Sequence, residues 1–166
     1  MNRFLKLSIF CSLFLSVIAF ILMLATKSMI LVTMDIPDID IKGTDAIFGM
    51  NMAYSITPNR APLAFAAWIL SIVGILFTLI CIVWPLLGGK VYQRYMGIQK
   101  ALVAICFILA GIFIFNTMAS YKSSNPSFDI DDYALGGGWI ASAILFLLSG
   151  ILAAIPAFFD IGMKDY

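Results

Sequence analysis

Four segments of the chain, residues 7–26, 62–87, 101–119 and 139–159, contain no Asp, Glu, Lys, Arg or His. A helix rises about 1.5 Å per residue, so roughly 20 apolar residues reach across the hydrocarbon core of a bilayer. The pattern therefore predicts an all-α integral membrane protein, a four-helix transmembrane bundle forming one domain over residues 1–166. Arg3 and Lys6 precede the first span as they would precede a secretory signal. Its apolar run is nevertheless longer than the roughly 7–15 residues of such a signal, and Ala25-Thr26-Lys27 is a poor cleavage site, so it reads as a retained helix.

The connecting segments are 27–61, 88–100 and 120–138, with a tail over 160–166. In the first, residues 30–33 are β-prone. Residues 36–42 then alternate, with Ile39 and Ile41 on one face and Asp38, Asp40 and Lys42 on the other. Lys42-Gly43-Thr44-Asp45 reads as a turn. In 120–138, Phe128 and Ile130 alternate with Ser127, Asp129 and Asp131. The two alternating stretches are expected to pair as a small extracellular β-like cap on the bundle.

Charge sets the expected orientation. The N-terminus, the 88–100 segment and the tail carry Arg3, Lys6, Lys90, Arg94, Lys100 and Lys164, with Asp160 and Asp165. The opposite segments carry Lys27, Lys42, Arg60 and Lys122, with Asp35, Asp38, Asp40, Asp45, Asp129, Asp131 and Asp132. Basic residues concentrate in cytoplasmic loops, so both termini are placed in the cytoplasm of a multi-pass plasma-membrane protein. Trp84, Tyr92 and Tyr95 are then expected at the inner interface, and Tyr121, Tyr133 and Trp139 at the outer one. With no cysteine in an outer segment and no permitted Asn-x-Ser/Thr acceptor, a bacterial membrane is favoured.

Where lipid surrounds the helices, small residues and interhelical hydrogen bonds govern their association. Such residues recur at four-residue spacing: Ala67 with Ser71, Gly74 with Thr78, Gly138 with Ser142, Gly150 with Ala154, and Ala153 with Ala157. They read either as seams within the bundle or, on the last span (Gly138, Ser142, Gly150, Ala154, Ala157), as a face for a partner or a second copy. Asn116 is the strongest hydrogen-bonding side chain within a span. It is expected to bond across to another helix or to reach interfacial water. Pro85 and Pro156 lie near span ends, where a proline sacrifices few backbone bonds.

The chain is 63% hydrophobic with mean hydropathy +1.05, and it has neither His nor Glu. The commonest general base and metal ligand are therefore missing, and an enzymatic role is not expected. A net charge of +1 implies no nucleic-acid partner. Cys11, Cys81 and Cys106 form no C-x-x-C pair and read as small apolar filler. Asp38-x-Asp40-x-Lys42 departs from a calcium loop at its fifth and twelfth positions. A looser divalent-cation site at Asp38, Asp40, Asp129 and Asp131 is weighed against an ordinary solvated acidic surface.

The strand-rich first loop resembles the claudin plan in topology. The chain lacks the external cysteine pair and W-GLW motif of claudins and the CCG motif of tetraspanins, so the likeness is one of architecture and transfers no residues. The expected role is a non-enzymatic interaction protein, an accessory subunit or immunity-type protein, without a cofactor. It would bind a membrane-protein partner, or itself, through the cap and the small-residue faces, with membrane lipids around it. The alternative is an oligomeric channel or lipid-handling protein, lined by Ser12, Ser16, Ser71, Thr78, Asn116, Ser142 and Ser149.

Overall fold

A computed structural model of the chain describes residues 3–31, 41–49, 60–87, 93–124 and 133–162. The elements run α1 (Arg3–Ala25), β1 (Lys27–Leu31), β2 (Ile41–Lys42), α2 (Gly43–Phe48), α3 (Pro62–Leu86), α4 (Gln93–Phe115), α5 (Thr117–Ser124), β3 (Tyr133–Leu135) and α6 (Gly137–Gly162). Four of them, α1, α3, α4 and α6, contain segments long and apolar enough to cross a membrane.

These helices are apolar all round, so no hydrophobic stripe marks their inward faces. Size and hydroxyl groups mark them instead. Ala19, Ala64, Ala67, Ala110, Ala143 and Ala153 are buried, together with Ser12, Ser16, Ser71, Thr78, Ser142 and Ser149. Leu7, Phe14, Ile21, Leu76, Ile105, Ile144 and Ile151 project outward. Only 28% to 44% of each span is buried within the bundle, which leaves a broad apolar exterior suited to acyl chains.

The helix α6 is central, packing along both α4 and α1, while α3 packs on α4 and meets α1 less extensively. Glycine allows the close approaches. A Cβ on Gly150 would strike Ile108 and approach the Ala104 carbonyl, and one on Gly111 would strike Leu147 and the Ala143 carbonyl. At mid-height Gly74 of α3 receives the ring of Phe107 from α4, which stacks on Phe146 of α6 with centroids 5.9 Å apart. Three helices are thus registered through one ring stack.

Hydrogen bonds fix α1 against α6. The Ser8 hydroxyl donates to the Leu152 carbonyl at 2.5 Å. Ser12 donates to the Ser149 carbonyl at 2.8 Å, and Ser149 donates back to the Ser12 carbonyl at 2.5 Å. Ser142 donates to the Ala19 carbonyl at 2.7 Å, and the Trp139 indole N–H to the Met23 carbonyl at 2.9 Å. As α1 advances from 8 to 23, α6 recedes from 152 to 139, which is an antiparallel ladder.

At the end where α6 begins, β1 is the centre of an antiparallel sheet with order β2-β1-β3. Met29 faces Ile41 on one side and Leu135 on the other. Strands from the two segments pair at Lys27–Leu31 and Tyr133–Leu135, and the end of the first expected stretch, Ile41–Lys42, pairs with β1 as β2. Of the expected alternating stretches, only Ile41 and Lys42 are described; 36–40 and 127–131 lie outside the described residues. Lys42-Gly43-Thr44-Asp45, expected as a turn, leads directly into α2.

The cap is joined to the bundle by backbone approach. The Gly43 N–H donates to the Thr26 carbonyl at 2.9 Å, and the Gly136 N–H to the Ser28 carbonyl at 2.8 Å. A Cβ at Gly43 would land on the Met23 carbonyl, and one at Gly136 on the Lys27 carbonyl. Only glycine permits this contact. Of the last-turn carbonyls of α1, that of Met23 accepts the Trp139 indole N–H, and the Thr26 carbonyl just past the helix accepts from Gly43. At the start of α3, the Ala61 N–H bonds to the Ala46 carbonyl and the Leu63 N–H to the Ser120 hydroxyl.

Trp139 and Tyr121 do not present their rings on the outer surface of the bundle. Both are buried, Trp139 as the largest fully buried side chain. The indole N–H finds its acceptor inside the protein, at the Met23 carbonyl. Trp84 and Tyr95, by contrast, are exposed on the surface; Tyr92 lies outside the described residues.

Candidate functional site

The expected packing residues of α6 sit inside the molecule. Gly138 lies against the Thr26 side chain, Gly150 against α4, and Ser142 is bonded to α1. Ala157 is buried and Ala154 is half-buried against the core. These positions form the seams among α1, α4 and α6. Asn116 lies in the break between α4 and α5, exposed, and its amide donates to the Ile112 carbonyl of its own helix at 2.8 Å. Of the two expectations, a bond across to another helix is not what its amide makes; the other, a reach to interfacial water, is compatible with its exposure.

The hydroxyls considered as a polar lining are engaged in the same interior. Ser12, Ser142 and Ser149 bond between helices. Ser16, Ser71 and Thr78 donate to the Leu13, Trp68 and Gly74 carbonyls of their own helices. Asp38, Asp40, Asp129 and Asp131 lie outside the described residues. Among the described residues, His, Cys, Asp and Glu form no group of three or more able to hold a metal ion.

Two features were not read from the sequence. The first is an ion pair at the end of the bundle opposite the cap. Lys100 Nζ and Asp160 Oδ2 are 2.5 Å apart, with the residues only 1% and 4% exposed. In the sequence Lys100 and Asp160 each sit one residue beyond an apolar run, which places them in a loop and a tail. In the structure both lie within helices, since α4 begins at Gln93 and α6 continues to Gly162. Gly97 lets α4 approach Asp160 and Ile161 closely enough to bury the pair. Cys81 of α3 lies within electrostatic range of both charges and donates its thiol to Gln99 Oε1 at 3.8 Å. Opposite charges at the same end of two neighbouring spans were the available signal.

The second feature is an aromatic and cationic rim where the cap meets α3. Phe48 of α2 meets Trp68 edge-on at 5.1 Å, and Phe65 stacks on Trp68 at 5.8 Å. The Arg60 guanidinium lies 4.4 Å from the Phe65 ring centroid. Phe48 and Arg60 are exposed, and Phe65 and Trp68 are half-buried. The helix start at Pro62 puts Phe65 and Trp68 three residues apart on one face, and α2 carries Phe48 to it. Aromatic rings and arginine on a supported surface supply large contact area at low entropy cost.

Comparison of the chain with protein-family models, with curated proteins and with solved structures gives no match.

Proposed function

We propose that this chain is a non-enzymatic, four-span membrane protein that acts by binding another membrane protein at its capped end, as an accessory or immunity-type subunit. The carrying observation is the Phe48–Trp68–Phe65–Arg60 rim, held at the junction of a folded cap and a span. A partner rising from the same membrane would meet both the rim and the apolar flank of α3. The basic-residue asymmetry supports a cap on the outer side of a plasma membrane with both termini cytoplasmic. The small-residue positions of α6 serve the bundle's own seams, so the docking surface is assigned to the rim.

The test is site-specific photo-crosslinking in native membranes. A crosslinker at Phe48 should give a discrete protein adduct that is lost on Arg60→Ala. The same crosslinker at Phe14, exposed on α1, should give none. Adducts to lipid alone at Phe48 would overturn the reading.

A further inference from the structure

The looser meeting of α1 and α3 leaves a lateral cleft at the end opposite the cap. Its volume is about 140 Å³, and Lys6, Ile9, Phe10, Cys81, Ile82, Pro85 and Leu86 line it. Six of these seven residues are apolar or nearly so, and Lys6 is the charged one. Beyond Cys81 the end of α3 stands clear of the bundle, with Val83, Trp84, Leu86 and Leu87 all exposed.

We propose that this cleft is a binding site for one anionic phospholipid, with a segment of acyl chain between α1 and α3 and the headgroup phosphate on Lys6. The proposal rests on the four-span reading but is independent of the partner-binding role. The cleft's chemistry selects the occupant. An apolar void beside a bilayer loses dispersion contacts unless hydrocarbon fills it. About 140 Å³ suits part of a hydrocarbon chain and is too small for a helix. The lysine is exposed at the edge of an otherwise apolar lining, where its ammonium reaches headgroup depth on a flexible stem. It also lies near the N-terminal end of α1, whose dipole favours an anion. The neighbouring segments are rich in Lys and Arg, the charge that an anionic leaflet attracts.

Native mass spectrometry of the full chain, released from nanodiscs with equal phosphatidylglycerol and phosphatidylcholine, tests this. The wild type should retain one phosphatidylglycerol in preference to phosphatidylcholine. Lys6→Gln should reduce that preference ~fivefold, the weight of about one basic contact with an anionic headgroup. Ile82→Trp, which fills the cleft, should abolish retention of either lipid. Because Lys6 is exposed, Lys6→Gln leaves the fold intact and the headgroup contact testable even where Ile82→Trp fails to fold. Equal retention of the two lipids by the wild type, or an unchanged preference in Lys6→Gln, overturns the headgroup assignment. Unchanged retention in a folded Ile82→Trp protein overturns the cleft as the seat of the chain. Lipid-free recovery with a second copy cross-linked over the cleft overturns the lipid itself.

Discussion

Lys100 and Asp160 face one another across the seam of α4 and α6 at 2.5 Å, nearly sealed from the surroundings. A charge left alone in such a place is costly, whereas replacing both members with apolar residues of similar size is often neutral. Lys100→Met should therefore destabilise the protein by about 3–5 kcal/mol. Lys100→Met with Asp160→Leu should recover most of that loss. Thermal unfolding in detergent of the two single variants and the double variant checks it; a double variant as unstable as the sum of its parents would refute the coupling.

Ser12 and Ser149 exchange hydroxyl-to-carbonyl bonds, so neither substitution alone removes the whole contact. A double-mutant cycle with Ser12→Ala and Ser149→Ala should give a coupling of about 0.6–1.7 kcal/mol, the range for interhelical hydrogen bonds in membranes. A coupling near zero would mean that close packing alone sets the α1–α6 register.

The glycines divide sharply by what surrounds them. Gly150→Leu should wedge α4 from α6 and lower the melting temperature in detergent, because Ile108 and the Ala104 carbonyl already occupy the space. Gly43→Ala should loosen the cap, because the obstacle is the Met23 backbone, which no rotamer change can move. Gly137→Ala is the control, with open space around its Cβ and no expected loss. Proteolysis of the cap separates the second effect from the first.

Burial pushes the Tyr121 phenol up to about 12 from its ordinary 10, with smaller contributions from Tyr133 and Asp45. Between these values the unfolded chain releases the proton and the folded chain keeps it. Stability supported by Tyr121 is thus fully present below pH ~10 and falls by about 2 kcal/mol as pH rises toward 12. Tyr121→Phe should flatten that alkaline decline. Tyrosinate absorbance, read as the difference between wild type and variant, locates the titration; a transition near the exposed value would refute the burial argument.

The unbroken apolar lengths of the four spans could be read directly, because a run near 20 residues without charge has few other homes. The small residues spaced along α6 were also visible in the sequence, and in the structure Gly138, Ser142 and Gly150 lie against α1 and α4. The ion pair is hidden in the sequence because the charge-free runs stop short of it, while α4 and α6 extend past them and bury Lys100 and Asp160. The inward turn of the Trp139 ring was not legible, because an amphipathic ring also suits an exposed site and only the fold brings the Met23 carbonyl to its N–H.

From its residues alone the chain determined how many helices could cross a membrane and that at least two inter-helix segments would hold strands. Which helices touch, which strands pair, and which charges meet were decided by the tertiary structure. The physical reason is that helices apolar on every side have no preferred inward direction. Their partners are chosen by close fit at glycine and serine, and by polar groups that find one another only once the backbones have met.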